Sequence, residues 1–180
     1  RDLAVTPVAE NGVATLTGTL SDPGTLDTHT VTVDWGDGSE SETHQLVAGE
    51  GLPELAHRYL DDNPTGTPTD QYTVTVTVTD DDGGAWEDAV TVQVDNVAPV
   101  ATFGTIRDSS GYTVGAAPPS DLDVALLGLE IDAIATFADP GTQDTHTSSI
   151  DWGDGTVNPT QGSSPISASH RYLTTGERTV

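Results

Sequence analysis

The chain has 180 residues and carries 29 acidic side chains against five basic ones, all arginine, for a formal charge of −24 at pH 7. A field of that sign repels nucleic acid and anionic membrane surfaces and attracts divalent cations, so nucleic-acid binding is excluded, leaving a solvated acidic surface or a calcium-binding one. The absence of cysteine removes disulfides and thiol catalysis, and lean apolar (34%) and aromatic (5%) fractions suit thin two-layer β domains rather than one large core.

Leu3 to Val8 alternates loosely and predicts a first edge strand, ended by the Glu10-Asn11-Gly12 turn. Val13 to Leu20 alternates apolar residues with Thr or Gly at period two, the pattern of a strand with one buried face, and Asp22-Pro23-Gly24 stops it. Val31 to Trp35 is the next alternating strand. Gly36-Asp37-Gly38 then supplies positive-φ positions for a tight reversal into Ser39 to Val47. Leu55 to Tyr59 predicts a short strand, and a polar, proline-bearing loop leads to the clearest strand of the chain, Tyr72 to Thr79. There Val74, Val76 and Val78 share one face and threonines the other. Asp80-Asp81-Asp82-Gly83-Gly84 turns it, and Trp86 to Val94 returns. No segment of this unit sustains a 3.6-residue apolar period, so no helix is expected.

Much of this recurs. Asp34-Trp35-Gly36-Asp37-Gly38 returns as Asp151-Trp152-Gly153-Asp154-Gly155. Asp22-Pro23-Gly24-Thr25 and Asp27-Thr28-His29-Thr30 return at the same offset as Asp139-Pro140-Gly141-Thr142 and Asp144-Thr145-His146-Thr147, and His57-Arg58-Tyr59-Leu60 returns as His170-Arg171-Tyr172-Leu173. Self-similarity at fixed spacing marks an array of like units. Two units follow, 1–96 and 97–180. Short strands with turns every 8 to 12 residues imply an all-β fold of tandem immunoglobulin-like antiparallel sandwiches. Tyr72, at the start of its strand just after a loop, stands where a tyrosine-corner residue would bond the backbone.

Asp-Trp-Gly-Asp-Gly, His-Arg-Tyr and then Tyr-Thr-Val-Thr-Val-Thr-Val-Thr-Asp-Asp-Asp-Gly-Gly together resemble the PKD (polycystic kidney disease) domain family, as found in tandem arrays of bacterial surface proteins. The resemblance covers residues 3 to 96 and the matching part of the second unit. It implies seven-stranded sandwiches used as spacer, adhesion or interaction modules, without catalysis of their own.

The second unit departs from the pattern. About 30 residues lie between Ala101 and Leu129, more than the first unit has there, and predict an insertion at about 105–127 that forms an extra hairpin or ordered loop. Glu130 to Phe137, Ser149 to Trp152 and Ser167 to Tyr172 resume the strands. Val180 falls where the counterpart of the Val74 to Val78 strand begins, so the last two strands of the unit are absent, and Ile150 and Trp152 are expected on an exposed face and edge. The sequence reads as a fragment of a longer chain. The lesser reading is a strand donated by another copy.

Each chemical constellation has a plain structural reading beside it. Trp35 and Trp152 are either sugar-stacking platforms or packing at the strand end, and the turn they border favours packing. The paired histidines lack a His-Glu-x-x-His spacing, which argues against zinc. The acidic residues cluster in repeated turns, whereas a glycosidase needs one cleft with two carboxylates in unequal environments, so no enzyme is expected. Hard oxygens gathered in rigid turns suit calcium, and Asp95, Asn96, Asp139 and Asp144 are its candidate ligands; equally, these are ordinary turn-forming residues. The expected function is a non-catalytic structural or adhesion module of a secreted or cell-surface protein: a stalk, surface layer or filament. Its expected partners are neighbouring repeats, other copies or a surface polysaccharide or protein. The alternative is an accessory binding module of a secreted hydrolase. The longest apolar run, Val124 to Leu129, is far too short to span a membrane.

Overall fold

The computed structural model describes residues 2–62, 66–109, 111, 113–114, 127–160 and 162–180. Among them every regular element is a β-strand, and no helix is long and apolar enough to cross a membrane. The chain divides into two units, Arg1–Val97 with Pro140–Gln143, and Ala98–Asp139 with Asp144–Val180.

In the first unit β1 (Ala4–Val5), β3 (Val13–Thr17) and β6 (Leu55–Arg58) form one sheet in the order β1-β3-β6. β2 (Val8–Ala9), β4 (His29–Asp34), β5 (Glu42–Leu46), β7 (Thr69–Asp80) and β8 (Ala85–Asp95) form the other, ordered β2-β8-β7-β4-β5. The single edge strand expected over Leu3 to Val8 is broken between the sheets. Pro7 has no N–H to give a ladder, and Thr6 ties down the break, its N–H bonding Thr15 O at 3.1 Å and its Oγ1 accepting Thr15 N–H at 2.9 Å. Beyond Pro7 the chain pairs in parallel with the end of β8.

Alternation along β7 builds the core. Val74, Val76 and Val78 are buried, Val31 and Val33 of β4 lie beside them in register, and Ala14, Leu16 and Leu55 meet them from the other sheet. Each valine or leucine among them contributes roughly 1.5–3 kcal/mol on burial. The arrangement is consistent with a β-sandwich.

The second unit contains β9 (Val100–Asp108), β10 (Thr113–Val114), β11 (Glu130–Ala138), β12 (Ser148–Asp151), β13 (Val157–Thr160) and β14 (Ile166–Arg171). One sheet runs β10-β9-β11-β14, and β12 pairs only with β13 among the described residues. Neither β9 nor β13 is legible in the sequence. β9 lacks clean alternation and shifts register against β11 at Ile134/Ala135. There Gly104 approaches so closely that a Cβ on it would meet Ile134 O at 2.7 Å. β13 contains Pro159, a residue tolerated in an edge strand. Of the insertion expected at 105–127, the first part is the end of β9 and its antiparallel partner β10, while 110, 112 and 115–126 lie outside the described residues.

The expected exposure of Ile150 and Trp152 does not occur: they are 5% and 0% exposed. Val180, Tyr172, Ile106 and Ala168 pack around the cluster they form with Ile131 and Ala133.

Candidate functional site

The recurring pentapeptide builds the same bracket in both units. Asp34 ends β4 and its Oδ1 accepts the Gly36 N–H at 2.9 Å; Asp37 Oδ1 accepts the Ser39 N–H at 3.0 Å. Gly36 is obligatory on two counts, because its φ is +77° and a Cβ would meet Thr73 O at 2.3 Å. From β6, His57 Nε2 donates to Asp37 Oδ2 at 2.8 Å while its ring stacks on Trp35, with centroids 4.8 Å apart and planes at 12°. Tyr59 stands edge-on to both rings and donates its hydroxyl to Trp35 O at 2.8 Å. In the second unit Asp151 accepts the Gly153 N–H, Asp154 accepts the Thr156 N–H, His170 bonds Asp154 at 2.8 Å and stacks on Trp152, and Tyr172 donates to Trp152 O at 2.7 Å. Gly38 and Gly155, also at positive φ, complete the two turns. Tyr72 donates to Asp61 O at 3.0 Å and packs against Tyr59.

The brackets differ at the indole. Trp152 Nε1 donates to Asn158 Oδ1 at 3.1 Å, whereas Trp35 Nε1, fully buried, has no acceptor among the described residues. Ladder register puts Glu42 opposite Val33, as Asn158 lies opposite Ile150. Glu42→Asn is therefore expected to stabilise the first unit by about 1 kcal/mol, the net worth of satisfying a buried donor. Urea denaturation checks this, and an unchanged or lowered midpoint would contradict it.

Hydrogen bonding in the brackets holds two carboxyls below the usual range. For Asp37 burial pushes up, but bonds from Ser39 and His57 outweigh it; for Asp154 burial is likewise outweighed by Thr156 and His170. Asp22 is also lowered, by the Gly24 N–H and by His29. A folded-state pKa below the unfolded value contributes stability above the unfolded pKa, which is lost as pH falls through the folded one. Both units are thus expected to lose stability as pH drops below about 3.8, the unperturbed aspartate value. Melting curves between pH 5 and pH 2 check this. The Asp37→Asn, Asp154→Asn double variant should show a flatter decline, and an equally steep one would show that these groups do not carry it.

A second kind of constellation lies at the loops. In the first unit ligand oxygens of Asp22, Asp27 and Asp80 lie within 4.8 Å of one another, about the spacing of two oxygens across a calcium ion with bonds near 2.4 Å. Thr28 N–H donates to Asp81 Oδ1 at 3.1 Å, binding the loop before β4 to the β7–β8 turn, and across that loop Asp22 Oδ2 accepts from His29 Nε2 at 2.8 Å. A cleft of about 250 Å³ opens there, lined by Asp22, His29, Asp80 and Trp86 among others, with room for a hydrated ion. Asp27 is pushed up by loss of water contact and then by Asp22, Asp81, Asp82 and Asp80. Also in the first unit Glu10, Asp61 and Asp62, all at most 5% exposed, bring carboxylate oxygens within the same distance. Withdrawing three carboxylates from water side by side is costly unless hydrogen bonds or a cation offset their charge, and here Glu10 Oε1 accepts the Val97 N–H at 2.8 Å and Asp61 Oδ1 the Asp62 N–H at 2.9 Å.

In the second unit Asp139 and Asp144 come together with His146, whose Nε2 bonds Asp139 at 2.7 Å. Asp95 and Asn96 belong to the first unit, at the end of β8. Asp95 Oδ1 accepts from Thr69 Oγ1 and Gln93 Nε2, both at 2.8 Å, and the Asn96 N–H donates to Pro68 O. Sequence reasoning missed Glu10, Asp61 and Asp62, because Glu10 lies far in the chain from the Asp61-Asp62 pair and none of the three belongs to a repeat. It also left Asp22 and Asp27 out of its ligand set, although their recurrence as Asp139 and Asp144 was the available signal.

No family model, curated protein or solved structure matches the chain.

Proposed function

We propose that the chain is a non-catalytic structural module, two PKD-like sandwiches of immunoglobulin type that act as stiff spacers in a repetitive extracellular or cell-surface protein and are braced by calcium. The observation that carries this reading is the doubled bracket. In each unit the residues most suited to chemistry, two aspartates, a histidine, a tyrosine and a tryptophan, are spent on bonding and stacking that fix one turn to the neighbouring strand. Such a lock resists shear. The strand order β1-β3-β6 over β2-β8-β7-β4-β5, with the first strand divided between sheets, supports the immunoglobulin type. Trp35 and Trp152 are fully buried, which disfavours sugar stacking by either.

Calcium enters through the carboxylate clusters, above all Asp22, Asp27 and Asp80, whose oxygen-only donor set suits a hard cation; His146 makes the set in the second unit mixed. Single-molecule stretching tests the spacer role. At ~3.4 Å per extended residue a unit of about 90 residues adds about 30 nm on unfolding. The expected trace shows discrete steps of that length at higher force in calcium than in chelator, and a featureless extension would refute the reading.

A further inference from the structure

We propose that Glu10, Asp61 and Asp62 form an enclosed calcium site at one end of the first unit, separate from the outer cluster of Asp22, Asp27 and Asp80 and loaded as the unit folds. The fold gathers the three from different parts of the chain. Glu10 follows β2, its N–H donating to Asp95 O at the end of β8 at 2.9 Å and its Oε1 accepting the Val97 N–H at 2.8 Å. Asp61 and Asp62 follow β6, which the Tyr59 N–H ties to the turn after Glu10 by donating to Gly12 O at 3.1 Å. From β7 the Tyr72 hydroxyl holds Asp61 by donating to its main-chain O at 3.0 Å.

The carboxylates offer oxygens within 4.8 Å of one another, and Glu10, Asp61 and Asp62 are 3%, 5% and 3% exposed. A second observation points to a cation. The main-chain N–H groups named above go to Glu10 Oε1 and Asp61 Oδ1, whereas Glu10 Oε2 and Asp62 Oδ2 are buried and accept no hydrogen bond among the described residues. An anionic oxygen withdrawn from water and given no donor is satisfied by a positive charge. Arg58, the basic side chain nearest to Asp61 in sequence, directs its guanidinium instead to Asn11 O and Oδ1. In a chain of formal charge −24 the charge therefore comes from solution. Oxygen-only, fully charged donors select a hard divalent ion, and magnesium is disfavoured because it keeps several waters while these ligands are withdrawn from solvent.

Burial sets how the site behaves. It exists only where the ends of β2, β6 and β8 are held together, so binding the ion is linked to folding the unit. Release requires that end to open, so the ion outlasts a brief exposure of the folded chain to chelator. The outer cluster, none of whose three carboxylates is fully buried, empties at once. The thermal response to added calcium thus belongs to the outer cluster, and the enclosed ion is already in place. The two sites stand or fall separately.

Calcium is counted by inductively coupled plasma mass spectrometry after the folded chain, prepared in calcium, passes through chelator on a desalting column. The Asp27→Asn chain, whose outer cluster is disabled, is expected to keep about one ion per chain and to release it when unfolded by guanidinium in chelator. Adding Glu10→Gln and Asp62→Asn, which keep the shapes and remove the charges, is expected to lower the retained calcium roughly tenfold or more. Adding Asp139→Asn instead is expected to leave it unchanged. Terbium loaded in place of calcium into the Asp27→Asn chain gives a measurement that needs no further variant, because Tyr72 beside Asp61 sensitises the emission of an ion held there. No calcium retained by the folded Asp27→Asn chain, undiminished retention after Glu10→Gln and Asp62→Asn, retention lost with Asp139→Asn, or no tyrosine-sensitised emission would each overturn the proposal. Intact retention in a chain whose melting temperature ignores added calcium would uphold this site while refuting the outer one.

Discussion

Trp152→Ala is expected to unfold the second unit while leaving the first unit's transition in place. Truncating a buried Trp costs about 3–5 kcal/mol, against a total of about 5–15 kcal/mol for a typical domain. The second unit is expected at the weak end of that range, because among the described residues its buried cluster is Ile131, Ala133, Ile150 and Trp152, where the first unit's extends over both sheets from Ala14 to Val94. Trp152 is also the platform on which His170 stacks, so its loss loosens β14 from the turn as well as opening a cavity, although the main-chain carbonyl that accepts the Tyr172 hydroxyl remains. Trp35→Ala makes the matching deletion in the larger core and is expected to lower the first unit's melting temperature without abolishing its fold. Calorimetry combined with amide spectra distinguishes the units. A second unit that stays folded after Trp152→Ala, with its melting temperature moved by less than about 4 °C, would place the indole's contribution below ~1 kcal/mol and refute the argument.

That contrast shows what the sequence makes legible. β7 was legible because its buried positions are Tyr72 followed by Val74, Val76 and Val78 and the residues between them are threonine, so one local pattern specifies both strand and face. The turns were legible because Gly36 and Gly38 sit beside aspartates that cap them. β13 was hidden by Pro159, and the division of the first strand by the fact that leaving one sheet for another depends on where β8 ends, a non-local matter. The site followed the same rule. Recurrence singled out Asp34, Trp35, Asp37 and their counterparts, but not that His57 would stack on one and bond another, since β6 belongs to the other sheet and reaches the turn only when the two sheets pack. Glu10, Asp61 and Asp62 meet through tertiary packing, with nothing periodic to announce them.

Millimolar calcium is expected to raise the first unit's melting temperature by about 10–20 °C, and Asp27→Asn to remove that gain while making the calcium-free protein more stable. A ligand at a hundred times its Kd adds about 2.7 kcal/mol to the folded state, and a domain of 60–100 residues shifts by about 4–8 °C per kcal/mol. The opposite signs arise from one geometry. Without a cation Asp27 loses water contact and faces Asp22, Asp81, Asp82 and Asp80, which raises its carboxyl above the ordinary value. A raised carboxyl opposes folding when ionised, and that opposition fades as pH falls through its folded value towards 3.8, so a neutral side chain relieves it at neutral pH. With calcium bound, the same crowding of oxygens becomes attraction, and the asparagine variant forfeits it. A merely turn-forming aspartate would behave otherwise: its replacement would move both melting temperatures in the same direction by a similar amount. Thermal melts of the parent and Asp27→Asn chains, each in chelator and in 10-fold steps of calcium, separate the two cases. Parallel shifts, or no response of the parent chain to calcium, would reduce the Asp22, Asp27 and Asp80 cluster to ordinary turn chemistry.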